Sequence, residues 1–347
     1  MLKPWGFAPL NATSIPESEA ESEYSYAEEP CYSATPIKDD MLSTGYKNIK
    51  KAKRADQKLI VLNKGPKGSG FNICKDCGAA VTGEEELNKK IKKPFINPRS
   101  FKSCNHNEVE NVVLGHSFMT DMIVLQFEID TRKINSKVEG LWIKTATLTL
   151  SEAMVLAAGR LLDIEFNEVR SGYRLRYSEK IAYVDIFLFD SLSSGAGYSS
   201  EIANRVNELL NRTNEILRNC KCDSSCHECL NHFWNQRVQN NLDRNLAIQL
   251  LEWGQSGILT RELDHLEQCK VFNPLKVLLE IDGDFIVDTN NESIVVSKGE
   301  KNKKVYIYPA MWNENIINKS DNTIYISDRL IDKSLPKAYK YLIDKFE

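Results

Sequence analysis

Four cysteines fall within ten residues of this chain, in the run Cys220-Lys-Cys222-Asp-Ser-Ser-Cys226-His-Glu-Cys229. Thiolates at these spacings match the tetrahedral coordination of a structural zinc, with Zn–S distances of about 2.3 Å. Asp223, Ser224 and Ser225 are small and polar, so the backbone can turn around a metal and aim N–H groups at the sulfurs. Four thiolates leave no open position, which predicts a structural site rather than a hydrolytic one. An iron–sulfur cluster is the alternative occupant, and His227 and His232 stand close by as spare ligands.

A second set is more dispersed. Cys74-Lys-Asp-Cys77-Gly78 has the form of a zinc-knuckle half-site, in which the glycine allows the tight turn. Cys104 and His106 would complete a Cys₃His site, with His116 as a rival fourth ligand. Cys31 and Cys269 lie outside both sets and are expected to be inert thiols. In a cytosolic chain such tight spacings favour metal over disulfides.

A third constellation is Ser193-Ser-Gly195-Ala-Gly197-Tyr198, which follows the apolar run Tyr183–Phe189 and precedes a helical pattern. A strand, a glycine turn and a helix start can cradle a phosphate on backbone amides. The turn lacks the Gly-Lys-Ser/Thr ending of a P-loop. Its glycines serve equally well to let the backbone pass close to the helix that leads into the cysteines. The fourth constellation is charge. Residues 47–103 carry fifteen Lys and Arg against five Asp and Glu, although the whole chain has a net charge of -3. Lys50, Lys51, Lys53, Arg54, Lys89, Lys90, Lys92, Lys93 and Arg99 are the candidate contacts to nucleic-acid phosphates.

Catalytic signatures are few. Asp121, Glu128 and Asp130, with Lys133, are the carboxylates and lysine that could imitate a metal-dependent nuclease. The chain has no Walker A motif and no Gly-x-Ser-x-Gly, so it is expected neither to hydrolyse ATP nor to be an enzyme.

These residues must be positioned by a chain of 347 residues that is 42% hydrophobic and 27% charged, the balance of a globular protein. No apolar run is long enough to span a bilayer, and no signal-peptide core is present, so a cytoplasmic location without membrane contact is expected. The patterning predicts an α+β (mixed α/β) fold: a β-sheet with packed helices, a Cys₄ zinc cluster after a helix, a smaller zinc-knuckle region and a C-terminal α/β appendage. Residues 1–46 read as an extended acidic arm, with eight acidic residues against Lys3 and Lys38, five prolines, and interleaved Trp5, Phe7, Tyr24, Tyr26 and Tyr32. Residues 47–111 form the basic zinc-knuckle region, 112–268 the domain of the four cysteines, and 269–347 the appendage.

Within that frame Leu59–Leu62 is predicted as a short strand and 112–130 as strand, turn and strand. Helices are predicted over 141–162, 199–217 and 241–253. A hairpin over 164–177 should turn at Ser171-Gly172. In the appendage, strands are predicted at 277–281, 293–297, 305–308 and 323–326, with a helix after Pro336.

The order of several motifs carries a family resemblance. They are Trp5-Gly-Phe-Ala-Pro9, Leu62-Asn-Lys-Gly-Pro66, Gly70-Phe-Asn-Ile-Cys-Lys-Asp-Cys-Gly78, Gly115-His-Ser-Phe-Met-Thr-Asp121, Leu188-Phe-Asp-Ser through Gly195-Ala-Gly-Tyr198, and then the four cysteines. This order resembles the MrfA-type zinc-binding (MZB) domain found in some DEAD/DEAH-box DNA helicases and in DrmB-like proteins of the DISARM anti-phage system. The resemblance covers roughly residues 1–255, is strongest over 112–250, and does not extend to 270–347. It implies a zinc-stabilised accessory module that works with a helicase subunit on DNA. It also places Cys220, Cys222, Cys226 and Cys229 at that family's zinc ligands. The family's turn reads Pro-Gly-Gly-Ala-Gly where this chain has Ser193-Ser194-Gly195-Ala196-Gly197.

Overall fold

The computed structural model describes residues 41–63, 65, 69–86, 95–96, 101–137, 142–165, 167–178, 180–192, 195–236, 238–289 and 292–346. The arm expected over 1–46 lies outside them as far as residue 40, with Cys31. So do Lys89, Lys90, Lys92, Lys93, Arg99, Ser193 and Ser194.

In chain order, β1 (Leu42–Ser43) and β2 (Ile49–Asn63) lead into the knuckle region. There β3 (Phe71–Cys74), β4 (Ala80–Thr82) and β7 (Val109–Val112) form a small sheet ordered β4-β3-β7, and β5 (Phe95–Ile96) pairs with β6 (Ser103–Cys104). The main sheet is completed by β8 (Leu114–Asp130), β9 (Val169–Tyr177) and β10 (Ile181–Asp190), in the order β1-β2-β8-β10-β9 with every pairing antiparallel.

The expected turn within 112–130 does not exist: β8 runs unbroken for 17 residues. Its polar residues Ser117 and Thr120 pair with the 15-residue β2 instead of turning. The irregularity falls in β2, as a register shift between Arg54 and Gln57. Asp56 there adopts φ 49, and its N–H is accepted by Asp121 Oδ1 at 3.0 Å. The expected hairpin at Ser171-Gly172 is also absent. Residues 169–177 form a single strand, with Gly172 opposite the buried ring of Phe187, and the chain reverses only after Tyr177 to pair with β10.

Apolar residues occupy both faces of the central strands, as a buried sheet requires. Ile123, Leu125, Phe127 and Ile129 face the helical layer. Met122 and Val124, one residue out of phase, join Phe187, Phe189, Ala52 and Leu59 in a cluster on the opposite face. That second face also holds a polar knot. Asp185 is 1% exposed and accepts from Gln126, Arg174 and Arg176 at 2.7–3.2 Å. The guanidiniums hold its carboxyl below the usual range despite the cost of burial.

The helical layer consists of α1 (Trp142–Leu162), α2 (Tyr198–Asn204), α3 (Val206–Asn219) and α4 (Arg244–Ser256). α1 is the most buried: Ala146, Ala153, Ala157 and Ala158 are all 0% exposed and allow close packing. The single helix expected over 199–217 is two. The break is Arg205, at φ -114 and ψ 31, whose side chain bonds Glu208 and the carbonyl of Leu161.

The chain then builds a second layer: α5 (His265–Asp282), the sheet β11-β12-β13-β14 (Ile286–Asp288, Ile294–Lys298, Lys301–Tyr308, Thr323–Ser327), α6 (Asp328–Lys333) and α7 (Leu335–Ile343). The strand expected at 277–281 is the last part of α5. A capping box between Asp264 and Glu267 starts this helix, and Phe272, Leu275 and Leu279 repeat at helical spacing toward the core. Val277 and Ile281, whose β-propensity suggested a strand, point outward at 45% and 76% exposure. No described helix is long and apolar enough to cross a membrane.

Candidate metal centres

The four-cysteine loop begins where α3 ends, with Cys220 as the first extended residue. Its sulfurs converge: Cys220–Cys226 at 3.5 Å, and Cys222–Cys229 and Cys226–Cys229 each at 3.7 Å. A tetrahedron with metal–sulfur bonds of about 2.3 Å has edges of about 3.8 Å, so the four sulfurs are spaced for one ion. The Cys226 carbonyl accepts from the N–H groups of Cys229, Leu230 and Asn231 at 2.9–3.1 Å, which closes the turn. The N–H of Cys226 points at Cys229 Sγ at 3.3 Å, the amide-to-sulfur contact expected from the sequence. The backbone N–H of Cys222 and its thiol bring Cys220 down to about 7, while burial pushes Cys229 up to about 12. A cation bound here would hold all four as thiolates.

α4 holds the loop from the far side. Arg244 donates to the carbonyls of Cys222 (2.7 Å) and Leu217 (3.2 Å), its N–H to Ser224, and Asn245 to Asp223 (2.7 Å). The loop therefore joins the end of α3 to the start of α4, and Cys229 lies in the core. Reading the sequence missed Arg244 and Asn245, since nothing near them in the chain marks them as partners of a loop twenty residues earlier. His232 and His227 stay outside the cluster. His232 Nε2 lies 3.3 Å from Glu152 of α1, and His232 caps the turn that presents Phe233 and Trp234 to solvent.

The second set also comes together. Cys74 Sγ and Cys104 Sγ lie 3.7 Å apart, and Cys77 Sγ is 3.3 Å from His106 Nδ1. The four donor atoms lie within 4.8 Å of one another. Gly78 at φ +75 makes the turn after Cys77, as expected, and its N–H bonds the Cys74 carbonyl at 2.8 Å. His106 takes φ 53, a conformation uncommon for a residue other than glycine, which swings it onto the cysteines. Burial opposes the Cys74 thiolate, but hydrogen bonds from His106 and the turn amides outweigh it and bring the group to about 7. The side chain of His116, the rival ligand, lies outside the described residues. Two all-Cys/His sets of four donors suit zinc, and zinc is the cofactor they imply.

The other candidates fare differently. On β2, Lys50 and Lys53 are exposed, Lys50 paired with Glu128 at 2.5 Å, and the half-buried Lys51 donates to the Ala203 carbonyl at 2.8 Å. The carboxylates do not gather. Asp121 lies seven residues from Glu128 along one strand, about 23 Å, and points to the other face. Asp121 serves the bulge at Asp56, Glu128 is paired with Lys50, and Asp130 with Arg132 at 2.9 Å. The glycine turn is already filled. Asp190 accepts from the N–H groups of Ala196, Gly197, Tyr198 and Ser199 at 2.6–3.1 Å, using the amides that a phosphate would need. Gly195 has φ +76, and a Cβ there would meet the Asp121 carboxylate at 3.0 Å, so its freedom serves a close approach.

Comparison with known proteins follows the same residues. Positions 150–230 match the MrfA Zn-binding domain family, MZB, a stretch that runs from within α1 through all four clustered cysteines. Across 98% of its length the chain is 30% identical, over 365 residues, to Druantia protein DruE of Escherichia coli (strain UMEA 4076-1). It spans only 20% of that relative. Among solved structures, the DUF1998 helicase MrfA bound to DNA aligns at 12% identity and a TM-score of 0.38, over 65% of this chain and 25% of that one. The same helicase bound to DNA and AMPPNP aligns at 11% and 0.26, over 61% and 22%.

Proposed function

We propose that this chain, which carries an MrfA Zn-binding domain, is a non-catalytic zinc-stabilised module that works with a DEAD/DEAH-box helicase motor and contacts DNA in anti-phage defence. The observation that carries this reading is the four-sulfur cluster wedged between α3 and α4. Its ligands are complete without water or substrate, so its metal supplies folding energy rather than a reactive position. We assign Cys220, Cys222, Cys226 and Cys229 to one zinc and Cys74, Cys77, Cys104 and His106 to a second. The 30% identity to Druantia protein DruE across 98% of the chain supports treating the two layers as one conserved unit. The separation of Asp121 from Glu128 and Asp130 supports the non-catalytic reading over a nuclease.

DNA contact is assigned to the basic region around the second site, with Lys50 and Lys53 the exposed candidates on β2. Gel shift of the zinc-loaded chain on single- and double-stranded DNA tests this. Binding should be clear near 50 mM salt and weaken by orders of magnitude near 200 mM, the signature of phosphate contacts. Absence of binding at the lower salt would remove DNA from the proposal and leave a protein-interaction module.

A further inference from the structure

The appendage (residues 269–347) and the segment just before it, with Glu262, His265 and Gln268, enclose a cleft of about 580 Å³, within the range of ligand sites. Strand alternation explains its walls. Val305, Ile307, Ile324 and Ile326 face the core of the second layer. The intervening Lys304, Tyr306, Thr323 and Tyr325 fall on the other face, with Tyr306 directly opposite Tyr325 in the parallel register of β13 and β14. Their rings lie 5.6 Å apart at 58°. Trp312 and His265 also line the cleft.

The polar ends of these aromatics are already engaged. Tyr306 Oη donates to Glu262 at 2.6 Å, Tyr325 Oη to the Asn318 carbonyl at 3.0 Å, and Trp312 Nε1 to the Thr260 carbonyl at 3.0 Å. Each ring is anchored by its edge, so ring surface is what it offers a ligand. Of the lysines at 301–304, Lys301 bonds the Phe346 carbonyl and Lys303 lies over the Phe346 ring. Lys304 is exposed and lines the cleft. Glu292 and Glu262 line it too and disfavour phosphate in their own vicinity, so the phosphate falls to the Lys304 side.

Anchored aromatic faces on a sheet with a cation beside them form the arrangement that binds bases without regard to sequence. We propose that this cleft holds a nucleobase stacked on Tyr325 and Tyr306, with its phosphate on Lys304, and that the source is single-stranded DNA. The proposal rests on the DNA-binding reading above and adds a second contact, remote in sequence from the basic region and driven by stacking.

Fluorescence anisotropy on the full zinc-loaded chain tests it, with three probes: labelled oligo(dT), an abasic strand of equal length, and free thymidine monophosphate. The wild type should prefer oligo(dT) to the abasic strand. Tyr325→Ala should weaken oligo(dT) binding roughly tenfold and abolish the preference, whereas Tyr325→Phe keeps the ring and should bind as the wild type does. Lys304→Ala, at an exposed position that leaves folding intact, should lower the salt slope by about one. Strand binding unchanged in Tyr325→Ala and Lys304→Ala overturns the cleft alone, and leaves DNA binding to the basic region. Failure of the wild type to bind either strand overturns both readings. Monophosphate binding lost in Tyr325→Ala, without strand binding, would make a free nucleotide the ligand and overturn the strand assignment.

Discussion

Cys226 has two tasks in one residue. Its carbonyl gathers three N–H groups that close the turn, and its sulfur lies within 3.7 Å of both Cys220 and Cys229. Serine preserves the backbone task and removes the metal bond. Structural zinc contributes an apparent binding free energy of about 10–16 kcal/mol, as large as the whole stability of a typical domain at about 5–15 kcal/mol. Cys226→Ser should therefore lower zinc content from two ions per chain to one and unfold the surrounding helices. Elemental analysis with circular dichroism reads both quantities. A soluble variant that melts like the wild type with one zinc fewer would show that the cluster does not hold the fold. The carboxylates teach the opposite lesson. Asp121 was legible only as a candidate nuclease carboxylate, but its work, receiving the N–H of Asp56, depends on a strand 65 residues away in the chain.

At the scale of elements, the turn between β10 and α2 shows how a helix start can be completed from within. Asp190 ends the strand, the chain loops back through Gly195 and Gly197 at φ +76 and +86, and four amides meet one carboxylate. Asp190→Ala would leave these buried donors without that acceptor, at a cost of roughly 2 kcal/mol or more. A urea midpoint lowered accordingly, with zinc content intact, is the expected result; an unchanged midpoint would mean that water replaces the carboxylate freely. Long periodic elements such as α1 and β10 were readable because a buried face imposes its period on the sequence. The strand–turn–strand reading of 112–130 and the strand at 277–281 failed for a shared reason. Local propensity was outweighed by a long partner strand in one case, and by a capped helix with a core-facing stripe in the other.

At the scale of the whole molecule, the two layers are joined by specific contacts. Ile134 bridges Trp312, Asn135 and Lys133 exchange backbone hydrogen bonds with Met311 and Asn313 at 2.8 Å, and Ala310 and Met311 enter the first core. The deepest link is ionic. Arg329 of α6 meets Asp243, the N-cap of α4, at 2.7 Å, with the two side chains 9% and 11% exposed. Arg329→Ala strands a buried carboxylate at the helix that clamps the zinc loop, and should cost about 3–5 kcal/mol. Limited proteolysis should then cut within 257–264, between α4 and α5, faster than in the wild type. Equal cleavage rates would mean that the backbone contacts at 309–313 suffice.

The sequence by itself determined the metal chemistry. Cys220 to Cys229 lie within ten residues, so ligand type and spacing are local properties that any fold of the segment must respect. It also determined the periodic elements that bury a face. Tertiary structure brought Cys104 and His106, already candidates in the sequence, onto Cys74 and Cys77, and it alone decided that Arg244 clamps the zinc loop and that Asp121 serves the bulge at Asp56. It alone placed Tyr306 beside Tyr325. These are encounters between residues far apart in the chain or set by strand register, and register is settled by which faces the complete fold can bury.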